Sequence, residues 1–182
     1  MALKYEDGRG VTQDHKAAVK WYRLSAERGD AGAQFALALM YNKGQGVTQD
    51  YKAAVKWHTL AAEQGFATAA GALCLKYYSG SDIPQDFKAA AKWCTLGAEK
   101  GFAGAQHILG LAYVSGSGVA KDRKTAVKWW KLAAEQGLAM SQERLGLMYF
   151  FGGGVPKDVV LGYMWVNSKR LANPTLLAPH PT

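Results

Sequence analysis

The side chains that could support catalysis or metal binding are few and scattered in this chain. The four histidines lie at positions 15, 58, 107 and 180, and none belongs to an H-E-x-x-H motif. The chain has no G-x-S-x-G, P-loop or dinucleotide-binding glycine motif, and no serine is followed three residues later by lysine, which removes serine-acylation chemistry of that kind. We therefore expect a protein that is not an enzyme and that needs no cofactor.

One pair of side chains keeps a catalytic alternative open. His107 and Glu143 lie thirty-six residues apart and could approach each other across neighbouring structural units. A hydrolytic or small-molecule site would then lie between them. Two ligands are too few for a metal site, so no metal is predicted.

The two cysteines, Cys74 and Cys94, have no counterparts thirty-six residues before or after them. They therefore belong to no repeated disulfide or metal framework. We expect free buried thiols, with a bridge between two neighbouring helices as the alternative.

One internal period of the sequence predicts the structural units that carry these side chains. Tyrosine, glycine and aspartate recur every thirty-six residues in the same register as a series of tryptophans. A period of this size indicates a solenoid of stacked units, each burying its apolar face against its neighbours. We expect every tryptophan of the series to be a core residue. The series is Trp21, Trp57, Trp93, Trp129 and Trp165.

Each unit has the pattern of an antiparallel helix pair. In residues 31–66, a short helix rich in alanine and leucine is followed by Gly44, which is suited to end it in a left-handed conformation. Asp50 is placed to cap a second, amphipathic helix that carries Trp57 and ends near Gly65. The fold class predicted from these signals is an all-α solenoid of helix pairs.

The period divides the chain into one solenoid domain and a tail. Ser168 and Arg170 replace apolar residues of the preceding unit, so we expect a polar terminal helix that caps the array. The solenoid is predicted over 1–174 and the tail over 175–182, with a partial repeat at 2–30 and repeats at 31–66, 67–102, 103–138 and 139–174.

The repeated motif resembles a known family. The pattern A-x-x-x-L-G-x-x-Y-x-x-G-x-G-V-x-x-D-x-x-x-A-x-x-W-x-x-x-A-A-E-x-G is similar to the Sel-one-like repeat, a relative of the tetratricopeptide repeat, and residues 103–138 match it best. The resemblance implies a right-handed superhelix with a concave inner face. It also implies a scaffold or adaptor that binds another protein or peptide.

In related tetratricopeptide arrays the first helix of each unit lines the groove, which implies a candidate binding surface here. It would combine a row of leucines with variable side chains, and would suit an extended peptide or a helix. We expect Tyr78, His107, Glu143 and Phe150 to anchor a partner, although the same rows could belong to the core. The implied surface consists of Phe35, Leu39, Asn42, Leu75, Tyr78, His107, Leu111, Val114, Glu143, Leu147 and Phe150.

The formal charge of +8 derives largely from a repeated lysine pair on the second helices. The i, i+4 spacing places both ammonium groups on one face, where stacked units would form a convex lysine stripe that could bind nucleic acid or an anionic surface. No aromatic residues interleave with these lysines as single-strand binding requires, so nucleic acid is not the expected partner. The pairs are Lys16 with Lys20, Lys52 with Lys56, Lys88 with Lys92, and Lys124 with Lys128.

Location and self-association follow less directly from the sequence. No apolar run is long enough to span a bilayer, and the first residues lack the pattern of a signal peptide. Because Ala2 aligns with Ala38, we expect the natural protein to extend upstream. The location is cytoplasmic by default, and an upstream segment would leave a periplasmic or secreted location open. An opening half-repeat would leave Tyr5 and Trp21 partly uncovered, where a second copy could bind.

Overall fold

The computed structural model describes the backbone of residues 1–172 and the side chains of residues 1–168, and this part of the chain is all-α without strands. The prediction of an all-α solenoid is confirmed. The predicted tail 175–182 lies outside the described residues. The helices are α1 (Ala2–Asp7), α2 (His15–Glu27), α3 (Ala31–Lys43), α4 (Tyr51–Glu63), α5 (Ala67–Ser79), α6 (Phe87–Glu99), α7 (Ala103–Ser115), α8 (Arg123–Glu135), α9 (Ala139–Phe151) and α10 (Val159–Ala172).

The helix ends follow from local sequence signals. The side chain of Asp50 accepts hydrogen bonds from the backbone N–H groups of Lys52 and Ala53 and so caps α4, and aspartates cap α2, α6 and α8 in the same way. In each repeat, the loop between the two helices packs against the first residues of the second helix of the preceding repeat. There Gly118 has φ +76°, and an added Cβ would lie 1.9 Å from the carbonyl oxygen of Phe87.

The core is distributed along the array. Each first helix packs against the second helix of its own repeat and against that of the preceding repeat. One leucine of each first helix is at most 1% exposed at this junction, and the next residue is small, which lets the helix axes approach. The four leucines are Leu37, Leu73, Leu109 and Leu145.

Burial of the tryptophans differs from the expectation. Trp93 is 6% exposed, whereas Trp21 is 42% exposed, so the expectation of a uniform core series is wrong for Trp21. The six-residue helix α1 covers less of α2 than a thirteen-residue first helix would. The most deeply buried tryptophan is Trp130, at 1% exposure, which does not belong to the periodic series.

The expectation of free thiols is also wrong. Cys74 on α5 and Cys94 on α6 form a disulfide, with Cα atoms 4.7 Å apart. Position 74 corresponds to Ala38 and Gly110 in neighbouring repeats, and an added Cβ at Gly110 would meet the Trp130 ring on the paired helix. A cysteine at that position therefore faces the partner helix at bonding distance.

The described part of α10 differs from the polar cap that was predicted. Val160 is 71% exposed and Tyr163 is 67% exposed. Val160 stands at the position that holds an exposed lysine in the three preceding repeats. The outer face of α10 is therefore apolar over Val159–Val166.

Candidate functional site

The first helices present one accessible face, here called the first-helix stripe. It contains the predicted leucine row, in which Leu75 is 56% exposed and Leu39, Leu111 and Leu147 are half-buried. The sequence analysis missed the neighbouring rows, although an i, i+3, i+7 spacing starting three residues before each leucine predicts them. The added positions are Ala36, Lys43, Ala72, Ser79, Ile108, Ser115, Arg144 and Phe151, all of them half-buried or exposed.

The predicted row that begins at Phe35 lies mostly in the packing between repeats. The Phe35 ring contacts those of His58 and Phe66, with centroids 5.3 and 5.1 Å away. His107 is only 7% exposed, whereas Glu143, at the same repeat position, is exposed. The buried members of this row therefore offer little surface to a partner.

The predicted row that begins at Asn42 faces second helices and neighbouring repeats. Tyr78 packs edge-on against Phe87, and Phe150 packs edge-on against Tyr163, with centroids 5.6 and 6.4 Å apart. Val114 is half-buried in the same row. These side chains border the first-helix stripe without standing free on it.

His107 and Glu143 form no hydrogen bond or salt bridge with each other in the described part of the chain. The Nδ1 atom of His107 lies 2.8 Å from the hydroxyl of Ser141. Burial, with the charge of Arg144 second, lowers the pKa of His107. Within residues 1–168, no three His, Cys, Asp or Glu side chains group in a way that could hold a metal ion.

A buried lysine joins two repeats at a place that sequence reasoning did not identify. Lys76 has a side chain that is 8% exposed, forms a salt bridge with Asp82, and donates a hydrogen bond to Asn42 of the preceding repeat. Its ammonium group also lies 5.3 Å from the Tyr51 ring centroid. Asp82 replaces a turn glycine in the same repeat in which Lys76 stands where the neighbouring repeats have Met40 and Ala112, and this paired change was the available signal.

The environment of His58 makes stability depend on pH. Burial, assisted by the charge of Lys76, lowers the pKa of His58 to about 4 from 6.5. Below pH 6.5 the unfolded chain binds a proton that the folded chain does not, so the free energy of unfolding decreases as the pH falls toward 4. We expect His58 to account for a loss of about 2 kcal/mol between pH 7 and pH 5.

Urea denaturation at several pH values, followed by circular dichroism, measures this effect. The control is His58→Val, because valine occupies the equivalent position 166. The decrease in the free energy of unfolding that His58 causes between pH 7 and pH 5 should be absent from the variant, even if the variant is less stable than the wild type at pH 7. An equal decrease in the free energy of unfolding with pH in the wild type and the variant would contradict the prediction.

All eight lysines of the predicted stripe are exposed. None of them forms a salt bridge within the described residues, where the pairs involve Arg9, Lys76 and Lys131. Lys56 and Lys92 lie 6.0 and 4.8 Å from the centroids of the tryptophan rings that follow them. The second helices therefore present unpaired positive charge.

Near α1, exposed apolar side chains surround a cavity of about 620 Å³. Trp21 and Leu24 line it and are 42% and 43% exposed. Self-association at this surface stays a prediction.

None of the described helices has the length and hydropathy needed to span a bilayer.

The helix pairs and their period together define the class of protein. Antiparallel helix pairs stacked with a thirty-six-residue period, in which α2 to α9 each have thirteen residues, form an α-solenoid of the tetratricopeptide type. The Sel1 repeat model matches residues 1–30, 31–66, 67–102, 103–138 and 139–167, and the chain belongs to the Sel1 repeat family. Proteins of this family are generally scaffolds for protein interaction and are typically not catalytic.

Solved structures agree with this assignment. The chain is 36% identical to c5321, a protective antigen of uropathogenic Escherichia coli strains with an SLR fold, at a TM-score of 0.88, covering 94% of this chain and 37% of that one. It is 34% identical to a Sel1 repeat protein from Oxalobacter formigenes, also at 0.88, covering 93% and 70% of the two chains. Cysteine rich protein B of Helicobacter pylori, at 23% identity and a TM-score of 0.54 over 71% and 92%, shares the fold. Among curated proteins no match was found.

Proposed function

We propose that this protein is a non-catalytic scaffold that binds another protein through the first-helix stripe, on the concave face expected of such an array. The observation that carries the proposal is Leu75, a leucine that is 56% exposed in a row of leucines at equivalent positions. Exposed leucines aligned along neighbouring helices supply apolar area for a partner to bury.

The side chains beside the leucine row give the surface its specificity. They change from repeat to repeat, from Ala36 and Lys43 on α3 to Arg144 and Phe151 on α9. Phe151 is 80% exposed and Met140, on the same helix, is 58% exposed. A partner that places an apolar segment along the leucines would therefore find its strongest anchors near α9, since large aromatic and arginine side chains dominate binding energy at interfaces.

The experiment compares partner capture by the wild type and by a Leu75→Glu, Phe151→Ser double variant. Both side chains are mostly exposed, so the fold should be retained, and circular dichroism verifies this. Removing two anchors of a contact surface should weaken binding of a captured and then purified partner by about tenfold or more. Isothermal titration calorimetry with the purified pair measures the change.

The matched control is Leu132→Glu, an exposed leucine on the second helix α8 that is 45% exposed. This variant should bind the partner as the wild type does. A partner that binds both variants equally well, or that is lost only with Leu132→Glu, would overturn the assignment of the binding face.

A further inference from the structure

Two grooves of the same construction lie one repeat apart, where the loop between the paired helices meets the start of the second helix. Counting the partial repeat 2–30 as the first, repeat two is 31–66, repeat three is 67–102 and repeat four is 103–138. The repeat-two groove is lined in part by Tyr41, Val47 and Tyr51 and has a volume of about 610 Å³. The repeat-three groove is lined by the equivalent residues Tyr77, Ile83 and Phe87 and encloses about 760 Å³. Neither groove includes a residue of the first-helix stripe.

The side chain of Lys52 lines both grooves and makes them one continuous surface. Val55 and Pro84 add apolar wall to the repeat-three groove. The surface thus offers two recesses at the interval of one repeat, of which the repeat-three recess is the more apolar, with Lys52 between them. Two neighbouring recesses can receive apolar side chains spaced along one extended segment.

The free charge of this surface is positive. Lys52 and Lys88 are exposed and form no salt bridge within the described residues. Of the carboxylates in the walls, those of Asp50 and Asp86 accept the hydrogen bonds that cap α4 and α6, and that of Asp82 is paired with Lys76. Asp50 and Asp86 keep their negative charge, which the positive N-terminal ends of α4 and α6 partly offset. Arg23 also lines the repeat-two groove, so the basic side chains outnumber these two carboxylates and the surface carries a small excess of positive charge.

We propose that this surface, here called the edge site, binds an extended acidic segment of a partner protein. Apolar side chains of the segment enter the two grooves, and its carboxylates pair with Lys52 and Lys88. Nucleic acid is disfavoured because the ring of Phe87 packs edge-on against Tyr78, with centroids 5.6 Å apart, and so is not free for base stacking.

Repeat four provides an internal control. Ala120 stands where repeat three has Pro84, and Arg123 stands where it has Phe87, so two apolar wall residues are lost there while Tyr113 and Val119 remain. Lys124 and Lys128 are nevertheless exposed on α8 as their equivalents are on α6. Charge reversal at Lys124 and Lys128 changes the net charge equally without touching either groove.

The test uses fluorescence anisotropy with a fluorescein-labelled peptide of three Glu-Leu-Glu-Pro units. We expect saturable binding to the wild type that a Lys52→Glu, Lys88→Glu variant weakens by at least about tenfold, since both contact charges are reversed. The Lys124→Glu, Lys128→Glu variant should change affinity less than about twofold, as expected for charges outside the contact. A peptide with serine in place of leucine should also bind at least about tenfold more weakly, because the grooves lose their apolar ligand.

Several results would overturn the proposal. These are absence of saturable binding, equal weakening by the two lysine variants, or unchanged binding of the serine peptide. Tighter binding of a single-stranded DNA oligonucleotide of equal charge, lost in the Lys52→Glu, Lys88→Glu variant, would assign the surface to nucleic acid instead. The Leu75→Glu, Phe151→Ser variant should bind the acidic peptide normally, which separates this site from the first-helix stripe.

Discussion

Replacing Trp130 by alanine is expected to lower the free energy of unfolding by about 3–5 kcal/mol, the range for truncating a large buried aromatic side chain. Trp130 is 1% exposed, and its Nε1 donates a hydrogen bond of 3.0 Å to the carbonyl of His107. Its ring occupies the space beside Gly110, where an added Cβ would lie 2.4 Å from Nε1. The substitution therefore removes a hydrogen bond and leaves a cavity between α7 and α8.

Urea denaturation followed by circular dichroism measures this loss. The matched control is Trp21→Ala, because Trp21 is 42% exposed on α2 and has less contact area to lose. We expect that control to cost about 1 kcal/mol, in proportion to its smaller buried apolar area. Equal losses for Trp130→Ala and Trp21→Ala would contradict the distribution of the core described here.

Removing the Cys74–Cys94 disulfide is expected to lower the free energy of unfolding by about 3 kcal/mol, because the unfolded chain regains the conformational entropy of the closed loop. The bridge closes a segment with a sequence separation of 20 residues. It joins α5 to α6 at the centre of the array, in the largest cluster of buried residues. The variant to measure is Cys74→Ala with Cys94→Ala.

Denaturation with and without dithiothreitol distinguishes the bridge from side-chain packing. Reductant should shift the wild type to lower stability, since the exposed thiols of the unfolded chain stay reduced. The double variant should be insensitive to reductant. A wild type whose unfolding is the same with and without reductant would contradict the presence of the bridge.

The helix ends and the repeat frame were predictable because their signals are local. Asp50 caps a helix and Gly44 ends one through contacts within a few residues, and the same signals recur at each period. The leucine row of the candidate site was implied by the resemblance to tetratricopeptide arrays, and the period gave its equivalent positions in each repeat. Its neighbours at Ala36 and Lys43 were missed only because the helical spacing was not applied to that row.

Other features were not predictable because they depend on contacts between a helix and its neighbouring helices and turns. His107 was expected to anchor a partner, but its ring is packed between α7, α8 and α9 beside Trp130 and Ser141. In the sequence, Lys76 has the features of an ordinary exposed lysine, and only the structure shows that Asn42 and Asp82 contact its ammonium group. Trp130, Ser141 and Asn42 lie on other helices, and Asp82 lies in the turn that follows α5, so no helix contains its own deciding neighbour.

The sequence by itself determined the period, the helix boundaries, the solenoid class and the exposed lysine pairs, because each follows from residues close together in the chain. Only the tertiary structure decided that Cys74 bonds to Cys94, that Trp130 is buried more deeply than Trp21, and that Lys52 lines two grooves at once. The physical reason is that burial, pairing and groove shape depend on which faces of neighbouring helices come into contact. For Cys74–Cys94 and Trp130 the contact lies between the two helices of one repeat, and for Lys52 it lies between neighbouring repeats.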